Sequence, residues 1–239
     1  MNVLDLFSGI GGFSLGLERA GMRTVAFCEI EPYCRAVLRK HWPDIPVFPD
    51  IIKLNGSDVG TAVDVICGGF PCQDISVAGK GEGITGSRSG LWKDFARLIG
   101  EIRPRYVIVE NVSALLGRGL SDVLGDLAAL RYDAEWHCIP ACAAGAPHRR
   151  DRIWIVGYPM QPRLPKRTAF GKWQGETTAR LSWDIAPVSG QWDAEPELGR
   201  VANGIPNRVD RLKALGNAIV PQIAEIIGKA IMSHEQSLP

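Results

Sequence analysis

No stretch of this 239-residue chain is apolar for long enough to span a bilayer. Its first residues, Met1-Asn2-Val3-Leu4-Asp5-Leu6, lack the basic region that opens a signal peptide. Together these absences predict a soluble, cytoplasmic protein with no membrane partner. There is no internal repeat and no low-complexity tract, which turns the reading away from solenoids and disordered linkers. Cysteine is sparse: Cys28, Cys34, Cys67, Cys72, Cys138 and Cys142 are scattered among strand-like and helix-like segments. That suits free thiols in a reducing compartment and argues against a disulfide framework. His137, Cys138, Cys142 and His148 lack the compact Cys-x-x-Cys spacing of a structural zinc site, so no metal is expected.

Net charge is also slight, at +1, but it is unevenly spread. Residues 1–141 carry a net of −3 and residues 142–213 a net of +5. The basic excess includes His148-Arg149-Arg150, Arg163, Lys166, Arg167, Lys172 and Arg180. A phosphate backbone is attracted to such a face, although a charge run by itself is most often only solvated surface. With 46% hydrophobic residues, the chain can bury a substantial core, as one large domain or one domain with a small appendage.

What the sequence does contain is a rhythm of strand then helix. Residues 2–7, 24–29, 63–67, 106–110 and 152–157 read as strands, the later ones short, apolar and β-branched. Residues 13–20, 31–41, 91–102, 120–130 and 221–231 read as helices, two of them opening on Pro32 and Pro221. The alternation predicts an α/β fold with a parallel, doubly wound sheet, its strand-end loops gathered along one edge. Residues 158–200 break the rhythm and are rich in Pro, Gly and Trp (Trp173, Trp183, Trp192), which predicts a small, irregular element.

The chemistry-bearing residues fall at the predicted strand ends. Phe7-Ser8-Gly9-Ile10-Gly11-Gly12 is a Gly-rich turn leading into a helix, which lets a ligand lie against backbone N–H groups. It is not the dinucleotide pattern, because Ser14 stands where the third glycine belongs. Glu29, ending the second strand, can accept from both hydroxyls of a ribose, and Asp50 can take an exocyclic amine. Either acid alone would more often be a cap. Together with the turn they describe a nucleoside pocket without a diphosphate cradle. Gly68-Gly69-Phe70-Pro71-Cys72-Gln73 delivers a thiol past the end of the third strand. Glu110 emerges from Tyr106-Val107-Ile108-Val109 at the same edge, where burial keeps a proton on the carboxyl. A thiol beside such a carboxyl suits attack on a conjugated ring whose nitrogen needs protonation.

Phe-Ser-Gly-x-Gly-Gly, Gly-Phe-Pro-Cys-Gln-Asp, Glu-Asn-Val, the His148-Arg149-Arg150-Asp151-Arg152 segment and Gly-Asn-Ala follow one another in that order. In this the chain resembles the C5-cytosine DNA methyltransferases over nearly its whole length. The resemblance implies the mostly parallel, Rossmann-like sheet of the class I methyltransferases, S-adenosylmethionine as cofactor, and double-stranded DNA as partner of a monomeric enzyme. It implies that Cys72 attacks C6 of a cytosine flipped out of the duplex. It also implies that Glu110 holds the ring nitrogen and amino group, and that Arg152 contacts base and carboxyl. Phe7, Gly9, Gly11 and Gly12 would line the methionine half of the cofactor. Glu29 would take the ribose and Asp50 with Ile51 the adenine, while Asn217 and Ala218 complete the pocket. Gln73, Ser76, Lys80, Arg88, Arg149 and Arg150 would face the DNA. Residues 79–90 match the loop that closes over it.

Two departures qualify the match. His148 stands where the family has Gln. The stretch from 158 to 200 is also short for a target recognition region, which predicts a short or loosely read site. Trp173 or Trp192 would stack on bases there or simply build a small core. The expected division is a catalytic, cofactor-binding domain over 1–157, recognition over 158–200, and a C-terminal segment over 201–239 packed back on the first domain. An RNA cytosine methyltransferase, or a silent DNA-binding subunit needing a partner chain, stays open as an alternative.

Overall fold

The computed structural model of the chain describes residues 1–71, 90–160 and 208–237. Its elements begin with β1 (Asn2–Leu6), α1 (Gly12–Arg19), β2 (Arg23–Cys28), α2 (Pro32–His41) and β3 (Val47–Phe48). β4 (Val65–Gly68), α3 (Leu91–Ile102), β5 (Tyr106–Val112), α4 (Leu115–Arg118) and α5 (Leu120–Ala129) follow. β6 (Tyr132–Pro140), β7 (Asp151–Pro159), α6 (Arg208–Asn217) and α7 (Pro221–Gln236) complete the described chain.

The seven strands form one sheet in the order β3-β2-β1-β4-β5-β7-β6. All neighbours pair parallel except β7, which runs antiparallel to both β5 and β6. The chain starts at β1 in mid-sheet, winds out to β3, and returns to β4 on the other side of β1. That reversal opens a crevice at the carboxyl ends of β1 and β4, where open α/β sheets bind ligands. Side chains alternate across the sheet as the pleat demands. Ile66, Val107, Val109, Ile153 and Ile155 join the core under α3 and α5. Val65, Cys67, Ile108, Trp154 and Val156 join the core under α1 and α7. Both faces are covered, which is why these strands read as continuous apolar runs. α7 buries Ile223, Ala224, Ile227 and Ile231, one face at helical spacing, against Phe13 and Leu17. Its far end is tied down where Tyr106 donates its hydroxyl to Glu235 at 2.9 Å.

Several features differ from what the strand–helix alternation predicts, the short β3 and α4 among them. β7 is antiparallel within an otherwise parallel sheet. β6 was not expected, and it is an edge strand whose Trp136 and Cys138 are exposed. α6 was not expected either: among its described side chains only Ala214 is buried, while Val209, Leu212 and Leu215 face outward. Of the stretch assigned to recognition, Tyr158 and Pro159 complete β7, and Trp173, Trp192 and everything from 161 to 207 lie outside the described residues.

Asp5 sits on the α1 face of β1, fully buried. Gly11 caps α1 without a side chain, and Asp5 Oδ2 accepts the Ser14 N–H at 3.2 Å and its hydroxyl at 2.8 Å instead. Among the described residues Oδ1 has no nitrogen or oxygen partner, and burial, partly offset by Ser14 and the Cys67 thiol, pushes the carboxyl up to about 8. The folded state therefore holds this proton more tightly than the unfolded chain. The stabilisation is fully present below the unfolded carboxyl's range and is lost as pH rises through about 8. Asp5→Asn keeps an acceptor for Ser14 and removes the charge. It is expected to melt at least ~2 °C above wild type at pH 8, with the gap closing at pH 5, by thermal denaturation at both values.

Candidate active site

The turn after β1 is held in an unusual backbone. Phe7 (φ 52°), Gly9 (φ 54°) and Gly11 (φ 87°) all lie in the left-handed region, which strains a phenylalanine and costs a glycine little. Glu29 pins this turn to the end of β2. Its Oε2 accepts the Gly9 N–H at 2.7 Å and its Oε1 the Glu31 N–H at 2.7 Å. Arg35 steadies the same corner by donating to the carbonyls of Glu29 (3.3 Å) and Ile30 (2.5 Å). Each carboxylate oxygen of Glu29 keeps a second lone pair after these bonds, so the group can still accept from ligand hydroxyls. Glu29→Ala removes both the acceptors and the pin. It is expected to weaken cofactor binding by at least ~10-fold, measured by calorimetry, with DNA affinity largely retained.

Across the crevice, Gly69, Phe70 and Pro71 lead the chain out of β4 towards Cys72. Asn111 holds this exit by donating its amide to the Phe70 carbonyl at 3.1 Å. Beside it Glu110 is 8% exposed, and its Oε1 pairs with Arg152 Nε at 3.0 Å. Burial raises the carboxyl to about 7, against the opposing pull of Arg152 and Arg150. A group so placed exchanges a proton near neutral pH, as a general acid requires. Gly69 gives this carboxyl room: a Cβ there would lie 2.8 Å from Glu110 Oε2 and the carboxyl would have to shift.

The two halves share one cleft of about 290 Å³. Phe7, Gly9, Gly12 and Glu29 line one end, Glu110 and Arg152 the other, and Asn217 and Ala218 return from the C-terminal segment to join them. Three residues assigned to the cofactor stand elsewhere. Gly11 faces the Trp42 ring, which a Cβ would approach to 2.6 Å. Ile51 is buried in the core, and its carbonyl accepts from Arg97 at 2.8 Å. Asp50 lines a neighbouring groove that meets the cleft at Ile30, and its Oδ1 accepts the Ile52 N–H at 3.0 Å. Of the residues assigned to DNA, Arg149 is exposed and pairs with Asp151 at 3.1 Å, whereas Arg150 lines the cleft. Cys72, Gln73, Ser76, Lys80 and Arg88, like residues 79–89 of the expected closing loop, lie outside the described residues. Among the described residues no three His, Cys, Asp or Glu side chains cluster to hold a metal, and no helix is long and apolar enough to cross a membrane. Sequence reasoning missed Asp5 and Asn111 as supports of the site. A lone carboxylate inside an apolar strand was the available signal for Asp5.

The seven-stranded, mostly parallel sheet with one antiparallel strand is the fold of the class I methyltransferases, and its switch-point cleft is lined by the Gly-rich turn and the Glu29 carboxylate. Residues 1–185 match the model of the C-5 cytosine-specific DNA methylase family, and the chain belongs to that family. It is 40% identical over 164 residues to the Type II methyltransferase M2.BsuMI of Bacillus subtilis, covering 65% of this chain and 41% of that protein. It is 38% identical over 160 residues to M.Eco47II of Escherichia coli, covering 64% and 38%. The chain thus spans about two fifths of these relatives. A solved structure described as a DNA modification methyltransferase encoded within an Escherichia coli prophage superposes with a TM-score of 0.57 at 27% identity, covering 66% of this chain and 47% of that one. A Spodoptera frugiperda DNMT2 mutant gives 0.58 at 21% identity, covering 70% and 53%, a likeness of fold alone.

Proposed function

We propose that the chain transfers a methyl group from S-adenosylmethionine to C5 of cytosine in duplex DNA. The observation that carries this is the shared cleft: a buried, proton-exchanging Glu110 clamped by Arg152 opens onto the same space as the glycine turn and Glu29. The residues present fit the cofactor, since the left-handed turn exposes backbone, Glu29 offers ribose acceptors, and Ile30 presents an exposed apolar edge beside them. When bound, S-adenosylmethionine supplies an electrophilic methyl on a sulfonium.

The chain's own residues supply the rest. Cys72 Sγ forms a bond to C6 of a flipped cytosine, and the electrons of the C5–C6 double bond move toward N3. Glu110 gives its proton to N3, so the charge does not build up on the ring. Arg152 fixes the carboxyl and offers a further donor to the base. The C5 carbon becomes nucleophilic and takes the methyl. Glu110 then takes back the N3 proton, a hydroxide or water from solvent takes the C5 proton, and the C5–C6 double bond is restored as the Cys72 thiolate leaves. Residues 158–200 are assigned to target recognition, their length fitting a short or loosely read site. Arg149 and the basic excess beyond it attract the phosphate backbone.

The experiment is incubation of the protein with tritiated S-adenosylmethionine and cytosine-rich duplex DNA, followed by bisulfite sequencing. Label on C5 of cytosine in a short context is the expected result. Label on RNA and none on DNA would move the substrate class. No label on either, with the cofactor bound, would indicate a missing partner chain and overturn the proposal for this chain alone.

A further inference from the structure

Three arginines stand within four residues at the start of β7, and they do different things. Arg149 is exposed and pairs with its neighbour Asp151. Arg152 reaches Glu110 at 3.0 Å. Arg150 is only partly exposed, has a left-handed backbone (φ 35°), and donates Nη2 to the Ala218 carbonyl at 3.0 Å across 68 residues of sequence. Ala218 directly follows the last residue of α6, its own N–H donating to the Ala214 carbonyl at 3.0 Å. The next residue, Ile219, packs so closely on the glycine turn that a Cβ on Gly12 would lie 2.9 Å from its side chain. Arg150, Asn217, Ala218 and Ile219 all line the cleft. The bond from Arg150 is thus a strut between the strand that carries Arg152 and the loop that closes over the glycine turn.

We propose that Arg150 is a positioning residue that fastens the Asn217–Ala218 wall of the cofactor pocket to the base-binding end of β7. This rests on the methyl transfer proposed above and gives Arg150 a task other than gripping phosphate. A guanidinium fits it: the planar fork stays charged and holds a fixed direction, so one bond can set the spacing of two walls. The strained backbone at Arg150 is consistent with a side chain held inward by its partners.

The test compares Arg150→Ala, Arg150→Gln and Arg150→Lys with wild type, using S-adenosylhomocysteine binding by calorimetry and DNA affinity over a salt series. Arg150→Ala and Arg150→Gln are expected to weaken S-adenosylhomocysteine by about tenfold and to raise the cofactor KM. The salt dependence of DNA affinity stays unchanged. Arg150→Lys keeps a donor and charge and recovers most of the loss. Melting curves identify any variant that fails to fold, and the Gln and Lys forms then decide. Unchanged cofactor affinity in both the Ala and Gln variants, with the salt slope of DNA binding reduced by about one, would make Arg150 a phosphate contact and overturn the proposal. Failure of the wild-type protein itself to bind S-adenosylhomocysteine would refute the proposed function instead.

Discussion

Cys72→Ser abolishes methyl transfer and leaves S-adenosylhomocysteine binding within about twofold of wild type. The reaction needs a nucleophile that both adds to C6 and departs from it. A thiol is partly ionised near neutral pH and is intrinsically nucleophilic, whereas an unassisted serine hydroxyl is neither. The residues that line the cofactor end of the cleft include Gly9 in the turn after β1, Gly12 at the start of α1, and Glu29 directly after β2. A change at Cys72, after β4, therefore leaves them untouched. Activity is read with tritiated S-adenosylmethionine and affinity by calorimetry. Loss of both together would remove Cys72 from the role assigned to it.

Glu110→Gln is expected to lower the methyl-transfer rate by about 10²–10⁴-fold, the usual contribution of a general acid. The amide is nearly isosteric, so the cleft keeps its shape, but it has no acidic proton to give. Its remaining oxygen can still accept from Arg152 Nε, as Glu110 Oε1 does at 3.0 Å, so the clamp is kept and the proton alone is lost. The wild-type rate carries a pH signature. Burial holds the Glu110 carboxyl up at about 7, so the protonated form, and with it this contribution to the rate, declines as pH rises above that value. A single-turnover pH series from 6 to 9 should show that falling limb in wild type, and the limb should be missing in Glu110→Gln. A limb that persists unchanged in the variant would assign the titration to another group.

Much of this fold was legible because both faces of the sheet are covered. Val65-Ile66-Cys67 and Tyr106-Val107-Ile108-Val109 are apolar at every position, and such runs have little alternative to a buried strand. The shared lining of the cleft by Gly9, Gly12, Glu29 and Glu110 was foreshadowed because these acids and glycines sit where apolar runs stop. What escaped had no such contrast. β6 alternates Tyr132, Ala134, Trp136 and Cys138 with Asp133, Glu135 and His137, the period-two pattern of a half-exposed edge strand, so it offers no continuous apolar run of the kind that marks the buried strands. α6 turns Val209, Leu212 and Leu215 outward, so its periodicity does not mark a buried face. Strand direction leaves no trace in composition, and the reversal of β7 is visible only in its pairing with β5. The sequence likewise grouped Arg149 with Arg150, although one is exposed and the other is held against Ala218. Gly11, in a run of glycines, serves the packing of Trp42.

The central claim is a covalent bond from Cys72 to a cytosine that accepts its methyl at C5, and a duplex carrying 5-fluorocytosine tests it most directly. Fluorine at C5 cannot leave as a proton, so after methyl transfer the thiolate cannot be eliminated and the adduct persists. With S-adenosylmethionine present, the account predicts a denaturant-resistant protein–DNA complex, mapped by peptide mass to Cys72 and missing in Cys72→Ser. Release of methylated product with no adduct, or an adduct on a different cysteine, would contradict it.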